Sequence, residues 1–101
     1  MIFAYIRVST DQQTVENQRF EILKFADQKK IQIGEWIEET ISGTKKYHDR
    51  KLGKLLQSLK KDDILVVSEL SRLGRNLMEV MSILNDCMER DIKVPAVKRG
   101  V

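Results

Sequence analysis

The chain contains 101 residues, of which 42% are hydrophobic and 33% are charged, and its formal net charge is +3. This length suits one small globular domain and is too short for two hydrophobic cores. No stretch approaches the roughly 20 apolar residues of a membrane span, and no cationic leader precedes the first apolar run. With one cysteine and one histidine, the composition argues against a disulfide framework or a zinc cage, and we expect a cytoplasmic protein without membrane contact.

The first third of the chain predicts a strand followed by a helix. The apolar run from Ile2 to Ile6 is typical of a central strand covered by helices on both faces. A helix is predicted from about Val15 to Lys29, and Gln18 lies at the edge of its apolar face. Because a buried amide without partners costs on the order of 1 to 3 kcal/mol, we expect Gln18 to have a polar partner close to Ser9. The apolar face itself contains Val15, Ile22, Leu23 and Ala26.

The middle third predicts a second strand at 31–40, a loop at 40–48 and a short helix. Asp49 is placed to cap this helix, and Arg50 and Lys51 then lie in its first turn. Positive charge there opposes the helix dipole by about 0.3 to 1 kcal/mol unless an anion binds, which favours an anion-binding role for Arg50. The apolar face of the helix consists of Leu52, Leu55, Leu56 and Leu59.

The last third predicts a strand from Ile64 to Val67, a helix and a final short strand. Asn76 followed by Glu79 resembles a capping box that begins a helix running to about Arg90. The predicted inner face of this helix is Leu77, Val80, Met81, Leu84 and Met88. At the margin of that face, in contact either with another subunit or with a wider core, lie Met78, Ile83 and Cys87.

Strands and helices therefore alternate along the chain. Residues Ile92 to Val97 supply the fourth strand, which Pro95 weakens because proline cannot donate a hydrogen bond. This order predicts an α/β fold with a small, mostly parallel, four-stranded sheet flanked by helices. In such sheets the carboxyl ends of parallel strands share one edge, and ligands bind there.

Polar side chains follow both fully apolar strands at this edge. Arg7 and Ser9 come directly after the first, and Ser71, Arg72 and Arg75 come after the third. A guanidinium matches the geometry of phosphate, and a serine oxygen can attack phosphorus. Since phosphoryl transfer depends mainly on alignment and charge stabilisation, several arginines around one serine predict a covalent phosphoryl-transfer site.

Other kinds of site fit the sequence less well. His48 lies in a predicted loop, which argues against a serine-histidine-acid triad. Neither a G-x-x-x-x-G-K-[ST] loop nor a G-x-G-x-x-G motif after the first strand is present. Cys87 falls inside a predicted helix, whereas a cysteine phosphatase needs its nucleophile in a loop. Asp62 and Asp63 are more typical of a turn than of a magnesium site.

Four groups of residues carry a resemblance to a known family. They are Tyr5-Ile6-Arg7-Val8-Ser9-Thr10, Gln13 and Gln18, Ser42-Gly43 with Asp49-Arg50, and Leu70-Ser71-Arg72-Leu73-Gly74-Arg75-Asn76. In this order and spacing they resemble the serine site-specific recombinases, the resolvases and DNA invertases. The resemblance is closest to the multi-promoter DNA invertases and runs from Met1 to about Lys93.

The resemblance implies a reaction and a set of site residues. Ser9 would attack a DNA phosphodiester, form a 5′-phosphoserine linkage and free a 3′-hydroxyl, and no cofactor is implied because the bond energy is retained. The family's phosphate-binding arginines match Arg7, Arg50, Arg72 and Arg75, and its supporting polar positions match Gln13 and Gln18. The family usually has aspartate where this chain has Ser71.

The resemblance also implies a domain organisation and partners. Residues 1–101 correspond to the N-terminal part of a serine recombinase catalytic domain, without the long dimerisation helix and helix-turn-helix domain of family members. The implied partners are double-stranded DNA and, in a full-length protein, a homodimer and a synaptic homotetramer. Because base-reading contacts are absent, we expect these residues alone not to recombine DNA. The alternative is a noncatalytic fragment that binds DNA weakly or modulates an intact recombinase.

Overall fold

The computed structural model describes residues 1–8, 12–40 and 51–98, with side chains described from residue 15 onward in the second range. Ser9, Asp49 and Arg50 therefore lie outside the described residues, as does the side chain of Gln13. The described strands are β1 (Ile2–Val8), β2 (Glu35–Thr40) and β3 (Ile64–Val67), and the helices are α1 (Gln12–Lys29), α2 (Lys51–Ser58) and α3 (Leu77–Glu89). A short 3-10 turn, Leu70–Arg72, lies between β3 and α3.

The strands form a parallel sheet in the order β2-β1-β3, so the prediction that the first apolar run is the central strand is confirmed. β1 pairs with β2 as far as Val8, which lies opposite Thr40. Its pairing with β3 ends earlier, at Tyr5 opposite Val67. The last residues of β1 therefore extend past the end of β3, and the chain that follows β3 can pack beside them.

The predicted fourth strand is wrong for the described residues, which contain a three-stranded sheet. The segment after α3 makes two isolated parallel bridges to β3, through Lys93 and Ala96. Leu65 donates its backbone N–H to the Lys93 carbonyl, and Val67 donates to the Pro95 carbonyl. Pro95 has no N–H with which to continue the ladder. The segment covers the edge of the sheet without forming a strand.

Two apolar clusters hold the helices on opposite faces of the sheet. On one face, α1 packs through Ile22 against the alternate residues Ala4, Ile6 and Val8 of β1. On the other face, Phe3, Tyr5, Leu65 and Val67 pack against leucines of α2 and the inner side of α3. This alternation of side chains along β1 follows from the two-residue period of a strand.

The predicted inner face of α3 is wrong at Leu77, Met81 and Met88, which are exposed, and confirmed at Val80, which is buried; Leu84 is partly buried against the core. The buried residues of this helix are Val80, Ile83 and Cys87, whereas four residues of the predicted helix are largely exposed: Leu77, Met78, Met81 and Met88. The helix is apolar around much of its circumference, so periodicity alone could not select the side that the sheet would cover. In α1, Leu23 is likewise half exposed, while Ile22 and Ala26 are buried as predicted.

The predicted start of α3 is confirmed, because Asn76 Oδ1 accepts a hydrogen bond from the backbone N–H of Glu79. The turn at Asp62 and Asp63 is also confirmed: Asp63 Oδ2 accepts the backbone N–H of Lys60, and Asp62 has a left-handed φ of 73°. Within the described part of the chain, none of the helices combines the length and the apolar character needed to cross a lipid bilayer.

Candidate active site

Arg7 links the end of β1 to the turn that follows β3. Its Nη2 donates to the backbone carbonyl oxygen of Ser71 at 3.1 Å. The two residues are far apart in sequence, and the contact exists because β1 extends past β3. Since the acceptor is a backbone atom, this contact does not depend on which side chain residue 71 carries.

Gln18 joins three elements behind Arg7. It is 2% exposed, and its Nε2 donates to the backbone carbonyl oxygen of Arg7 at 3.0 Å. Its Oε1 accepts a hydrogen bond from Ser68 Oγ, at the end of β3, at 3.4 Å. The prediction that Gln18 has polar partners is confirmed, and the described partners are Arg7 and Ser68. The amide therefore fixes the backbone that carries Arg7 relative to the chain that leaves β3.

The 3-10 turn after β3 carries Ser71 and Arg72 and is preceded by Glu69. Ser71 Oγ donates to Glu69 Oε1 at 2.8 Å. The same carboxylate oxygen lies 3.7 Å from Arg72 Nε, within ion-pair range and beyond hydrogen-bond range. Glu69 thus contacts the side chains of both Ser71 and Arg72.

Arg75 lies two residues before α3 and contacts Glu79 in the first turn of that helix. The backbone N–H of Arg75 donates to Glu79 Oε1 at 2.9 Å, and Arg75 Nε is 3.6 Å from Glu79 Oε2. This arrangement requires a close approach at Gly74, where a Cβ would lie 3.0 Å from the backbone nitrogen of Val80 and from the Cβ of Glu79. Glycine therefore lets the turn pack tightly against the first turn of α3.

These contacts create a cleft of about 440 Å³ at the carboxyl edge of the sheet. Arg7, Ser71 and Arg75, from β1 and from the chain after β3, share its wall. Arg72 is not among the lining residues, although it is in the same turn. The remainder of the lining is Gly74, Asn76, Leu77 and Val80.

A buried carboxylate that sequence reasoning missed lies at the end of β2. Glu39 is 6% exposed, and its Oε2 accepts a hydrogen bond from the Tyr5 hydroxyl at 2.6 Å. Its Oε1 accepts the backbone N–H of Lys51 at 2.7 Å, so it satisfies a free donor at the start of α2. Glu39 thereby positions the backbone immediately after Arg50. The register of β2 buries this acidic residue, and no pattern in the sequence distinguishes it from Glu38.

Sequence reasoning also missed the contributions of Glu69, Glu79 and Ser68 to this edge. Glu79 was noticed as part of a capping box, yet its side chain bonds to Arg75 as well. The sequence signal that could have predicted these contacts is the spacing of each arginine and its acidic partner: Glu69 lies three positions before Arg72, and Glu79 lies four positions after Arg75. Within the described ranges, no group of three or more His, Cys, Asp or Glu residues could hold a metal ion.

The arrangement can bind an anion. Arg7 and Arg75 bring permanently charged guanidinium groups to one concave surface, and Arg72 is in the adjoining turn. β1 ends at Val8, so the chain that leaves it continues directly to Ser9. The position and charge of these arginines therefore suit this edge of the sheet to binding an anion.

Comparison with known proteins is consistent with this geometry. The profile of the family described as "Resolvase, N terminal domain" matches residues 2–100. The chain belongs to the resolvase family of serine recombinases. It is 40% identical over 102 residues to the Tn2501 transposon resolvase of Escherichia coli, covering 98% of this chain and 50% of that protein. It is 41% identical over 100 residues to serine recombinase PinR of Escherichia coli strain K12, with the same two coverages.

The fold agrees with that of a solved integrase catalytic domain. The N-terminal catalytic domain of TP901-1 integrase superposes with a TM-score of 0.75 at 20% identity, covering 95% of this chain and 75% of that one. This recombinase catalytic domain spans about half the length of the two relatives named above. A resolvase and PinR are similar to it to the same degree, so these comparisons do not separate the subgroups of the family.

Proposed function

We propose that residues 1–101 form the N-terminal catalytic part of a protein that recombines DNA at specific sites through a covalent bond to Ser9. The observation that carries the proposal is the shared cleft of Arg7, Ser71 and Arg75 at the carboxyl edge of the sheet. The serine follows this edge directly in sequence. Family membership adds the substrate class, double-stranded DNA.

The proposed reaction transfers a phosphoryl group from a DNA 3′ oxygen to Ser9 and then from Ser9 back to a DNA 3′ oxygen. Ser9 Oγ forms a bond to the phosphorus of one DNA strand while the bond from phosphorus to the 3′ oxygen breaks. The serine proton leaves, and the departing 3′ oxygen becomes a hydroxyl. After strands have been exchanged, a 3′ hydroxyl attacks the phosphoserine and releases Ser9. One phosphodiester is exchanged for another, so the reaction needs no external source of energy.

The proposed role of the arginines is to bind the scissile phosphate and to stabilise the charge that develops on its oxygens. Arg7, Arg72 and Arg75 belong to the described structure, and Arg50 is included on family resemblance alone. Removing one well-placed charge stabiliser slows reactions of this kind by about 10² to 10³. Gln18 supports the site by fixing the backbone of Arg7, and Gln13 is assigned a supporting role by resemblance.

The proposed assembly is that of the family: a homodimer that pairs into a synaptic homotetramer on DNA. What supports a contact between subunits is the exposed apolar side of α3, where Met78 is 81% exposed and Leu77 is 58% exposed. Ile83 and Cys87, which the sequence offered as alternatives for such a contact, are buried within this chain. They therefore belong to the wider core face.

The test is covalent trapping on DNA. Because the chain spans half of its relatives, residues 1–93 are joined to the carboxyl-terminal half of the Tn2501 resolvase, and the substrate is the DNA site that this resolvase recombines. A phosphorothiolate at the cleavage position blocks rejoining. We expect a protein-DNA adduct that forms with the fusion and is lost on Ser9→Ala.

Two controls separate the possible results. Lys54→Ala, on the exposed side of α2, is expected to leave the adduct unchanged. The 101 residues tested alone are expected to form no adduct, because they span about half the length of the relatives and in the fusion the resolvase half supplies the base-reading contacts. An adduct that persists with Ser9→Ala would contradict the proposed nucleophile. A fusion that binds the site without cleaving it would favour the noncatalytic alternative.

A further inference from the structure

The carboxylate of Glu69 lies between the two polar side chains of the arginine-bearing turn. Ser71 Oγ donates to Glu69 Oε1 at 2.8 Å, and the same oxygen is 3.7 Å from Arg72 Nε. Arg72 Nε is buried and forms no hydrogen bond within the described part of the chain. We infer that Glu69 is a positioning residue that holds the Arg72 guanidinium for phosphate, an inference that rests on the proposed function.

The burial of Arg72 Nε explains why a carboxylate is needed there. A charged donor removed from water without an acceptor is unfavourable, and a nearby anion offsets part of that cost. At 3.7 Å the two groups attract each other without forming a hydrogen bond. Arg72 is thus directed by Glu69 and remains able to adjust when an anion arrives. Holding the guanidinium by Nε leaves its Nη groups for a bidentate contact with phosphate.

Ser71 gives Glu69 its orientation. The Glu69 side chain is 31% exposed and has three rotatable bonds, so nothing about its own burial would fix the carboxylate. The hydrogen bond from Ser71 Oγ selects the rotamer in which Oε1 faces Arg72. The hydroxyl at position 71 and the carboxylate at position 69 therefore act as a pair.

The same geometry recurs at the second arginine of this edge. Arg75 Nε is 3.6 Å from Glu79 Oε2, and the other oxygen of Glu79 accepts the backbone N–H of Arg75. In both cases an arginine approaches a carboxylate through Nε, and a separate hydrogen bond fixes that carboxylate. The repetition supports a positioning role for Glu69 over a chance surface contact.

Because Ser71 and Glu69 act as a pair, we expect the effect of Ser71→Asp to depend on which residue occupies position 69. While Glu69 is present, a second carboxylate beside the first is repelled, and the orientation of both is disturbed. After Glu69→Gln, the new aspartate is the only carboxylate in the turn and can take over the contact with Arg72. We therefore expect Ser71→Asp to disturb the position of the Arg72 guanidinium when Glu69 is present and to restore that position when Glu69 is replaced by glutamine.

The first experiment follows the nitrogen–proton correlation of the Arg72 Nε–H group by NMR in the 101-residue chain. We expect Glu69→Gln to move the chemical shift of this signal toward the value of a solvated arginine. We also expect the substitution to reduce the change in chemical shift that inorganic phosphate causes when it is added. Ser71→Asp in the Glu69→Gln chain is expected to restore both. The matched control is Asp86→Asn, which removes the carboxylate 3.1 Å from Arg90 Nη1 at the far end of α3 and leaves the Arg72 signal unchanged.

The second experiment measures adduct formation by the fusion protein used to test the proposed function. Glu69→Gln is expected to slow the step at saturating DNA by roughly 10-fold to 100-fold, as a misplaced catalytic group does. DNA affinity is expected to stay the same or to rise, because a negative charge has been removed. Adding Ser71→Asp to Glu69→Gln should recover most of the rate. Melting temperatures of the variants establish that all of them are folded.

The outcomes are distinguishable. An Arg72 signal that does not respond to Glu69→Gln overturns the inference, whatever the fusion does. A signal that responds while the rate of adduct formation stays the same also overturns it, because the contact is then only structural. A fusion without any Ser9-dependent adduct overturns the proposed function, which differs from an active fusion that ignores Glu69.

Discussion

The two edges of the sheet use arginine in different ways. The amino edge is the side of the sheet where the parallel strands begin. There, Arg90 donates to the carbonyl oxygens of Leu56 and Leu59 at 2.9 and 2.7 Å, near the end of α2. At the carboxyl edge, Arg72 and Arg75 face carboxylates at 3.7 and 3.6 Å. The Arg90 guanidinium completes the hydrogen bonding of a helix, whereas Arg72 Nε faces its carboxylate across a distance longer than a hydrogen bond.

Burial and charge by themselves therefore do not separate the structural arginine from the arginine that we propose binds phosphate. All three arginines lie beside acidic residues, since Arg90 also pairs with Asp86. Arg90 and Arg72 differ in how many short, directional hydrogen bonds the described residues make with the guanidinium group. A guanidinium that satisfies backbone carbonyl oxygens is costly to move, and we propose that one resting against a carboxylate can exchange that partner for phosphate.

The largest expected effect comes from replacing arginine by lysine at the two edges. Arg72→Lys and Arg75→Lys should each slow adduct formation by the fusion about 10² to 10³, since an ammonium cannot reproduce the guanidinium fork. Their melting temperatures should change little. Arg90→Lys should leave the rate unchanged and lower the free energy of unfolding by about 1.5 to 3 kcal/mol. Equal rate losses at all three positions would contradict the distinction between a structural arginine at the amino edge and phosphate-binding arginines at the carboxyl edge.

A smaller effect is expected at Gln18, which is part of the rigid support of the carboxyl edge. Gln18→Leu fills the same space but leaves the Arg7 carbonyl and the Ser68 hydroxyl without their described partner. We expect the free energy of unfolding, measured by urea denaturation, to fall by about 1 to 3 kcal/mol. Lys24→Leu, at an exposed position of the same helix, is the control. Unchanged stability with Gln18→Leu would mean that water replaces the amide at no cost.

The smallest effect concerns Asp63 at the amino edge. The backbone N–H of Lys60 lowers the pKa of Asp63 below its ordinary value of 3.8, and the ammonium group of Met1, 3.0 Å from Oδ1, lowers it further. A lowered pKa in the folded state contributes stability above pH 3.8, and that contribution is lost as the pH falls through the folded pKa. Asp63→Asn should therefore reduce stability at neutral pH by about 0.2 to 1 kcal/mol.

The measurement for Asp63 is thermal unfolding as a function of pH. The difference between the unsubstituted chain and Asp63→Asn should narrow as the pH falls below 3.8. Asp62→Asn is the matched control, because asparagine tolerates the left-handed backbone of that residue and Asp63 is retained. A difference for Asp63→Asn that stays constant with pH would show that the carboxylate's charge is irrelevant.

Much of the fold could be predicted because the strand and helix patterns were clear. The unbroken apolar run of β1 indicated a strand covered on both faces, and the polar Gln18 within an apolar helix face indicated a partner, as observed. The inner face of α3 could be predicted only in part, at Val80. Its apolar residues surround most of the helix, and only contact with the sheet selected Val80, Ile83 and Cys87 for burial.

The amino-acid sequence by itself determined which groups are available: arginines and a serine after two apolar strands, and an amide on the helix that follows the first strand, in an order typical of the serine recombinases. Only the tertiary structure decided how the described groups are held. The pairing of Glu69 with Ser71 and Arg72, and of Glu39 with Tyr5 and Lys51, depends on backbone geometry over distances of a few ångströms. Sequence patterns record which face of an element is apolar, whereas hydrogen bonds depend on the positions of individual atoms, which are fixed when the elements pack together.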